Sequence, residues 1–298
     1  MNFSEDVNKA ICNISKDQRE LLSIYKIGSS VENTPMLAIN LGIGSKKILI
    51  NATHHAREMI STILLLDQIQ YILNLYKKNS SVDNINIREL LHKVTLVFVP
   101  LVNPDGADLV LNGKYFLSNQ YKNMFYLQRN SFESWKSNIR GVDLNRNYPT
   151  KHPSNDTVNY PGPKGYTGPW YFSEPETSAL KDLTEFCLFE GSISYHSSGE
   201  EIYWQFNQSK EEKNRDLQIA KKISEETTYN LLPEEEINLG NGYKDWFIEN
   251  YKKPALTMEV SPYVGERKVP QKYYPQIFQQ NKNVPIIFAR EILNNSLN

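Results

Sequence analysis

Two of the five histidines stand where short apolar runs end: His55 after KILINAT and His196 after SISY. Runs of that kind read as buried strands, and ligand sites of open α/β sheets lie beyond the carboxyl ends of strands. His55 and Glu58 form an H-x-x-E pair whose side chains, three positions apart at the start of a helix, point to one side. With a distant imidazole they make a His₂Glu set, which is a catalytic zinc pattern because three protein ligands leave a fourth position open to water. The expectation is therefore one zinc ion per chain, held by His55, Glu58 and His196. A lone H-x-x-E arises easily by chance, and a histidine at a strand end is often only a hydrogen-bonded surface residue; the three residues carry weight only as a set.

Hydrolysis also needs an acid-base group, and Glu259 supplies one. It stands inside PALTMEV, where a carboxylate in an apolar strand is costly unless it is used or paired. A partly desolvated glutamate has raised proton affinity, which suits a base that takes a proton from the attacking water and passes it to the leaving nitrogen. Zinc lowers the pKa of bound water to about 7 and polarises a carbonyl, so both halves of amide hydrolysis would be covered. The string RGVDLNRNYP adds Asp143, a plausible hydrogen-bond partner for the second nitrogen of His55. It also adds Asn145 and Arg146, a multi-donor fork suited to a substrate carboxylate.

The elements that must position these residues follow from pattern. Residues 21–41 look like a hairpin at a sheet edge, with LLSIYKI and MLAINL flanking GSSVENTP. Residues 47–51, 94–102, 192–195 and 255–260 read as strands, and the apolar spacing from Met59 to Tyr76 is helical. Helices are also expected over about residues 174–190, 210–229 and 274–294, with Ser173 and Glu176 spaced like a capping box. Strands alternating with amphipathic helices predict an α/β fold, a mainly parallel sheet of one domain spanning residues 1–298. The stretch from Gly106 to Tyr171, rich in Asn, Tyr, Gly and Pro, is too long for an ordinary connection, and such loops usually carry function.

Composition narrows the partners. Thirty-three basic and thirty-four acidic residues give a net charge of −1, so electrostatic capture of nucleic acid or of a membrane surface is not expected. The apolar stretch from Met59 to Tyr76 is interrupted by Asp67, Gln68, Gln70 and Asn74, which disqualifies it as a membrane span. The first twenty residues build no apolar segment of a secretory signal, so a cytoplasmic location is expected, with export by another route left open. Cys12 and Cys187 fall in separate helical patterns and are expected as reduced, partly buried thiols.

Taken with their order and spacing, HARE (residues 55–58), NPDG (103–106), VDLNRN (142–147), YHS (195–197) and TMEV (257–260) resemble the zinc carboxypeptidases of the carboxypeptidase A type. The resemblance implies a mixed, largely parallel sheet of about eight strands flanked by helices. It implies zinc on His55, Glu58 and His196, a catalytic carboxylate at Glu259, and a substrate carboxylate held by Asn145 and Arg146. It also tilts Arg57 toward substrate binding, although an ion pair between loops is about as good a reading. Within the family, WKSNIRGVDLNRNYP, GYTGPWYFSEPET, YHSSGEEIYW and GNGYKDWFI are most similar to bacterial γ-D-glutamyl-L-diamino acid endopeptidases. That likeness implies a peptidoglycan stem peptide as substrate, cut between γ-D-glutamate and meso-diaminopimelate. An ordinary metallocarboxypeptidase and a catalytically silent peptidoglycan-peptide binding module are the competing readings. The second would be expected to lack a ligand or the base, and all four are present.

The chain also departs from the pancreatic-type members. Where they carry a mobile tyrosine it has Ile237, leaving Tyr243 or Tyr263 as substitutes; where they carry a carbonyl-polarising arginine it has Gln128, with Arg129, Lys136 and Arg140 nearby. Lys244 occupies a position that contributes to the family's side-chain pocket. Read alone it is a solvated surface residue; in GYKDWF its ammonium suits a carboxylate on a diamino-acid side chain. Asp105 and Gly106 read as turn residues, His54, His92 and His152 as exposed or structurally bonded, and Trp135, Tyr148, Tyr166, Trp170 and Tyr171 as loop packing.

Overall fold

A computed structural model describes residues 2–14, 20–113, 132–233 and 240–295. Helix α1 (Phe3–Ile14) leads into the expected hairpin, β1 (Leu22–Ser29) and β2 (Pro35–Leu41), then β3 (Lys46–Ala52) and helix α2 (Ile60–Lys77). A two-stranded ribbon of β4 (Ser81–Val82) and β5 (Ile85–Asn86) precedes α3 (Ile87–Lys93), β6 (Val94–Val99) and α4 (Pro104–Asn112). Beyond the long loop come α5 (Pro175–Cys187), β7 (Gly191–Ser197), β8 (Glu201–Tyr203), α6 (Lys210–Thr227) and β9 (Asn230–Leu231). The chain closes with α7 (Tyr243–Tyr251), β10 (Ala255–Val260), α8 (Tyr274–Asn281) and α9 (Val284–Asn295).

Eight strands form one mixed sheet in the order β1-β2-β6-β3-β7-β10-β8-β9. Its centre is parallel, with β3 pairing to both β6 and β7 and β10 pairing to β7, while β1-β2, β2-β6 and β8-β10 are antiparallel. The near-continuous apolar runs are the central strands, as burial on both faces requires. Alternate residues feed two cores. Ile48, Ile50, Ile193, Leu256 and Met258 pack with side chains of α1, α2, α3, α6 and α9, whereas Leu49, Val97, Val99 and Ala255 pack with α5 and α7. Each such Val, Leu, Ile or Met side chain contributes about 1.5–3 kcal/mol over leaving it exposed.

Three local expectations need correction. NPDG is not a turn: Asn103 caps α4 by accepting from the Gly106 N–H and Pro104 takes the first turn, where its missing N–H costs nothing. Asp105 is consequently buried, accepting from the Ser30 hydroxyl at 2.7 Å, the Glu32 N–H at 2.7 Å and the Thr34 hydroxyl at 2.9 Å, so it ties α4 to the β1-β2 turn. The Ser173–Glu176 capping box does not form. Glu174 is the N-cap of α5 without a side-chain cap bond, because Ser173 is engaged with Asn147 and the Glu174 carboxylate. The expected C-terminal helix is two helices, α8 and α9, with Pro285 in the first turn of the second. Neither Cys12 nor Cys187 is in a disulfide, and Cys187 is partly buried as expected whereas Cys12 is exposed; no helix among the described residues is long and apolar enough to cross a membrane.

Glu176 is buried beside Asp105 and Glu174, and burial, then the two neighbouring carboxylates, push its carboxyl up to about 8. A carboxyl whose folded-state pKa lies above its unfolded value near 4.5 stabilises fully below that lower value, and the stability is lost as pH rises towards about 8. Glu176→Gln is therefore expected to flatten the fall in stability between about pH 5 and 8 and to gain a few kcal/mol over the parent at the upper end, each tenfold change in proton affinity being worth about 1.4 kcal/mol. Denaturant melts across that range check it; parallel pH profiles for parent and variant would contradict it.

Candidate metal centre

The parallel centre of the sheet aims three strand ends at one spot. His55 lies three residues beyond β3, His196 is the sixth residue of β7, and Glu259 pairs with His196 in register on β10. The turn that carries His55 and Glu58 is fixed from several sides. Ala56 and Arg57 donate N–H groups to the carbonyls of Lys136 and Trp135, Asn103 donates to the carbonyl of His54 at 2.9 Å, and the Ser61 hydroxyl donates to the carbonyl of Glu58 at 2.6 Å. Asn103 thus caps α4 and clamps the metal loop together. The sequence signal for it was present, since Asn before Pro at a helix start is an N-cap pattern.

His55 Nδ1 and His196 Nδ1 stand 3.1 Å apart, and the two oxygens of Glu58 lie 2.9 Å from the first and 3.0 Å from the second. Atoms each about 2.0–2.1 Å from a tetrahedral zinc are roughly 3.3 Å apart, so the spacing fits a shared ion. No other group of three or more His, Cys, Asp or Glu residues that could hold a metal ion occurs among the described residues. All three side chains are buried. Burial opposes ionisation of Glu58, yet the imidazoles of His55 and His196 hold its carboxyl well below its ordinary range. Asp143 stands behind the site with its carboxylate 3.4 Å from His55 Nε2. Burial works against its charge too, and His55 and then Arg146 overcome it, so Asp143 remains ionised. A carboxylate behind a ligating imidazole fixes its tautomer and raises its basicity.

Glu259 is not one of the converging ligand atoms. Burial, and next the charge of Glu58, push its carboxyl up to about 7, near the value that suits a base working at neutral pH. Of the two cations considered for carbonyl polarisation that lie among the described residues, Lys136 and Arg140, Lys136 is the one whose charge reaches both Glu259 and Asp143. Arg140 lies 3.6 Å from Glu174 instead, and Arg129, with Gln128 and Ile237, lies outside the described residues. Tyr243 is fully buried with its hydroxyl 2.8 Å from that of Thr184, whereas Tyr263 is 75% exposed.

The other site residues surround this centre unevenly. Asn145 Oδ1 accepts from the Tyr243 N–H at the start of α7, an approach that glycine at the preceding position leaves undisturbed, since a Cβ on Gly242 would stand 2.7 Å from that oxygen and force the amide to shift. Arg146 pairs with Asp156 and also feels Asp143 and Asp245. Arg57 is buried; its Nη1 donates to the Ser134 carbonyl, and its Nε finds no partner among the described residues. Lys244 is buried too, which a solvated-surface reading excludes: its ammonium donates to the Gln205 carbonyl at 2.8 Å, pairs with Asp245 and lies 5.6 Å from the centre of the Phe206 ring. His54 bonds to Tyr148 at 3.1 Å, while His92 and His152 are exposed. Trp135 and Tyr148 are core residues of the loop region, and Trp170 and Tyr171 are exposed. Asn147 escaped notice beside Arg146, yet its amide donates to the carbonyls of Thr167 and Trp170 and its Oδ1 accepts from Thr177, holding the loop to α5.

Beneath the centre runs a polar row. Asn51, Ser194, Thr257 and Tyr203 are register neighbours across β3, β7, β10 and β8, and Ser194 and Thr257 share a face with His196 and Glu259 because side chains alternate along a strand. The amide of Asn51, the hydroxyl of Ser194 and the amide of Gln205 are buried with no partner among the described residues. Buried groups left unpaired cost about 1–3 kcal/mol each, so this floor favours a polar occupant over an apolar one.

Comparison with known proteins agrees with this geometry. The zinc carboxypeptidase family model matches residues 7–282. The chain is 32% identical over 258 residues to γ-D-glutamyl-L-diamino acid endopeptidase 1 of Lysinibacillus sphaericus, covering 85% of this chain and 64% of that relative. It is 29% identical over 287 residues to the uncharacterised protein YqgT of Bacillus subtilis, covering 91% of this chain and 74% of that one. The fold also matches bovine thrombin-activatable fibrinolysis inhibitor, solved in complex with a tick carboxypeptidase inhibitor, at a TM-score of 0.78 and 20% identity over 98% and 97% of the two chains. A metal cradle at the ends of parallel strands, a carboxylate beside it and a family match over nearly the whole length lead to one conclusion: the chain belongs to the zinc carboxypeptidase family.

Proposed function

We propose that the protein hydrolyses the bond between γ-D-glutamate and a diamino acid, meso-diaminopimelate first, in peptidoglycan stem peptides. The observation that carries this reading is the buried, polar floor under the metal centre with the Lys244 ammonium beside it. An apolar C-terminal side chain would leave those amides unpaired, whereas the carboxylate and amine at the far end of diaminopimelate supply partners of both kinds, the carboxylate adding an acceptor for an ammonium that already bonds Gln205 and Asp245. The likeness to the Lysinibacillus endopeptidase supports the same substrate class.

His55, Glu58 and His196 would hold one zinc ion per chain, which when bound supplies Lewis-acid polarisation of the scissile carbonyl and activation of water. Glu259 takes the proton from the attacking water and returns it to the departing amine. Lys136 places positive charge where oxyanion character develops, a role assigned from its reach to Glu259. Asn145 and Arg146 orient the diamino-acid half through its carboxyl group, and Arg57 lines the approach. Asp143 keeps His55 in the ligating tautomer.

Zinc-loaded protein is expected to release diaminopimelate from L-Ala-γ-D-Glu-meso-diaminopimelate; release only of ordinary C-terminal residues from standard peptides would favour a plain carboxypeptidase. Lys244→Ala, or Lys244→Met where the buried stem must be kept, should lower kcat/KM on the diaminopimelate peptide at least about tenfold more than on its lysine analogue, since a lost charged hydrogen bond is worth about 1.5–3 kcal/mol. Equal losses on both peptides would remove the pocket assignment.

A further inference from the structure

Arg146 carries five N–H groups in a planar fork, and an acid from its own chain already occupies much of that fork. Its Nε and Nη2 donate to the two oxygens of Asp156 at 3.2 and 3.0 Å, and its Nη1 donates to the Asn145 carbonyl at 3.1 Å. The pairing with Asp156 is side-on and bidentate, the geometry by which a guanidinium recognises any carboxylate. Asp156 is itself steadied by the Ser154 hydroxyl. Its side chain is 64% exposed against 23% for Arg146, so the acid lies on the solvent side of the pair. An ordinary surface ion pair would involve two exposed partners; here one partner is the residue expected to take a substrate carboxylate.

A free carboxylate reaching Arg146 must either displace Asp156 or share one cation with it, with Asp143 also in the field. Both routes reduce what a terminal carboxylate gains over an amide. We propose that Asp156 is a specificity-determining residue: by holding the fork of Arg146, it removes the advantage of a free α-carboxylate, so peptides that continue past the diamino acid are taken as readily as those ending there. The substrate class then includes chain-extended stem peptides, cut internally, beside those ending at the diamino acid, and the inference rests on the reading that Arg146 faces the diamino-acid half of the substrate.

Two measurements test it, and the first needs no substrate. The Nε–H resonance of Arg146, assigned by its loss in Arg146→Lys, is titrated with sodium propionate in the parent and in Asp156→Asn. Asp156→Asn should respond at an at least about tenfold lower propionate concentration; equal responses would overturn the proposal even if the protein cleaved no stem peptide. In the second, kcat/KM is compared for L-Ala-γ-D-Glu-meso-diaminopimelate and the same peptide extended by D-Ala. The parent should treat the two within about fivefold, and Asp156→Asn and Asp156→Ser should favour the free acid by about tenfold or more, mainly through KM. A strong preference for the free acid in the parent, or a KM that rises alike for both peptides in the variants, would assign Asp156 a purely structural role and overturn the proposal. Failure to cleave the γ-D-glutamyl bond of either peptide, releasing neither diaminopimelate nor diaminopimelyl-D-Ala, would count against the substrate reading alone, because the propionate titration still decides on Asp156.

Discussion

His196→Ala is expected to abolish zinc retention and peptidase activity together while leaving the fold in place. The Nδ1 atom removed is one of three converging ligand positions, 3.1 Å from His55 Nδ1 and 3.0 Å from Glu58. Losing only an outer partner of a metal ligand already weakens binding 10–100-fold, so loss of a ligand should exceed about 100-fold. The truncation also strips Glu58, buried and ionised, of one of the two imidazoles that stabilise its charge, so some loss of stability accompanies the loss of metal. Equilibrium dialysis against zinc with far-ultraviolet circular dichroism separates the two effects. A folded His196→Ala protein that bound zinc like the parent would contradict the ligand set.

Glu259→Gln should behave differently: full zinc affinity with kcat reduced by about 10²–10⁴, the range associated with a positioned general base. The amide keeps the shape of the side chain and cannot accept the proton. Because burial and the nearby Glu58 charge push the carboxyl up to about 7, and only the ionised form acts as a base, activity should rise with pH through this group. A bound cation opposes the shift, so the acid limb should lie at or below about pH 7. A Glu259→Gln enzyme retaining a tenth or more of parental kcat, or one that lost zinc, would assign the residue another role.

The candidate metal ligands and Glu259 were legible because they stand at the ends of apolar strands, His55 and Glu58 after β3, His196 late in β7 and Glu259 late in β10, and the parallel register of β3, β7 and β10 turns that pattern into proximity. The layering followed from the alternation of strands with amphipathic helices, and the sheet size from the family resemblance. Less legible were features set by tertiary partners. NPDG carries turn chemistry and helix-start chemistry in the same four residues, and only the packing of Asp105 against the β1-β2 turn decides between them. The Ser173–Glu176 spacing met the capping-box rule, but Asn147 claims Ser173 and the helix starts one residue later. Lys244 read alone suggested solvent, since no local pattern announces that α7 presses it against Gln205 and Phe206. Asp156, ten positions after Arg146, falls in a loop with no periodic signal, so its hold on the guanidinium emerged only in three dimensions.

The most direct test of the central claim is diffraction from zinc-soaked crystals collected on both sides of the zinc absorption edge. A single anomalous peak bounded by His55 Nδ1, His196 Nδ1 and the Glu58 carboxylate, with bonds of about 2.0–2.2 Å, is the predicted result. Anomalous density elsewhere, with none between those three side chains, would contradict it.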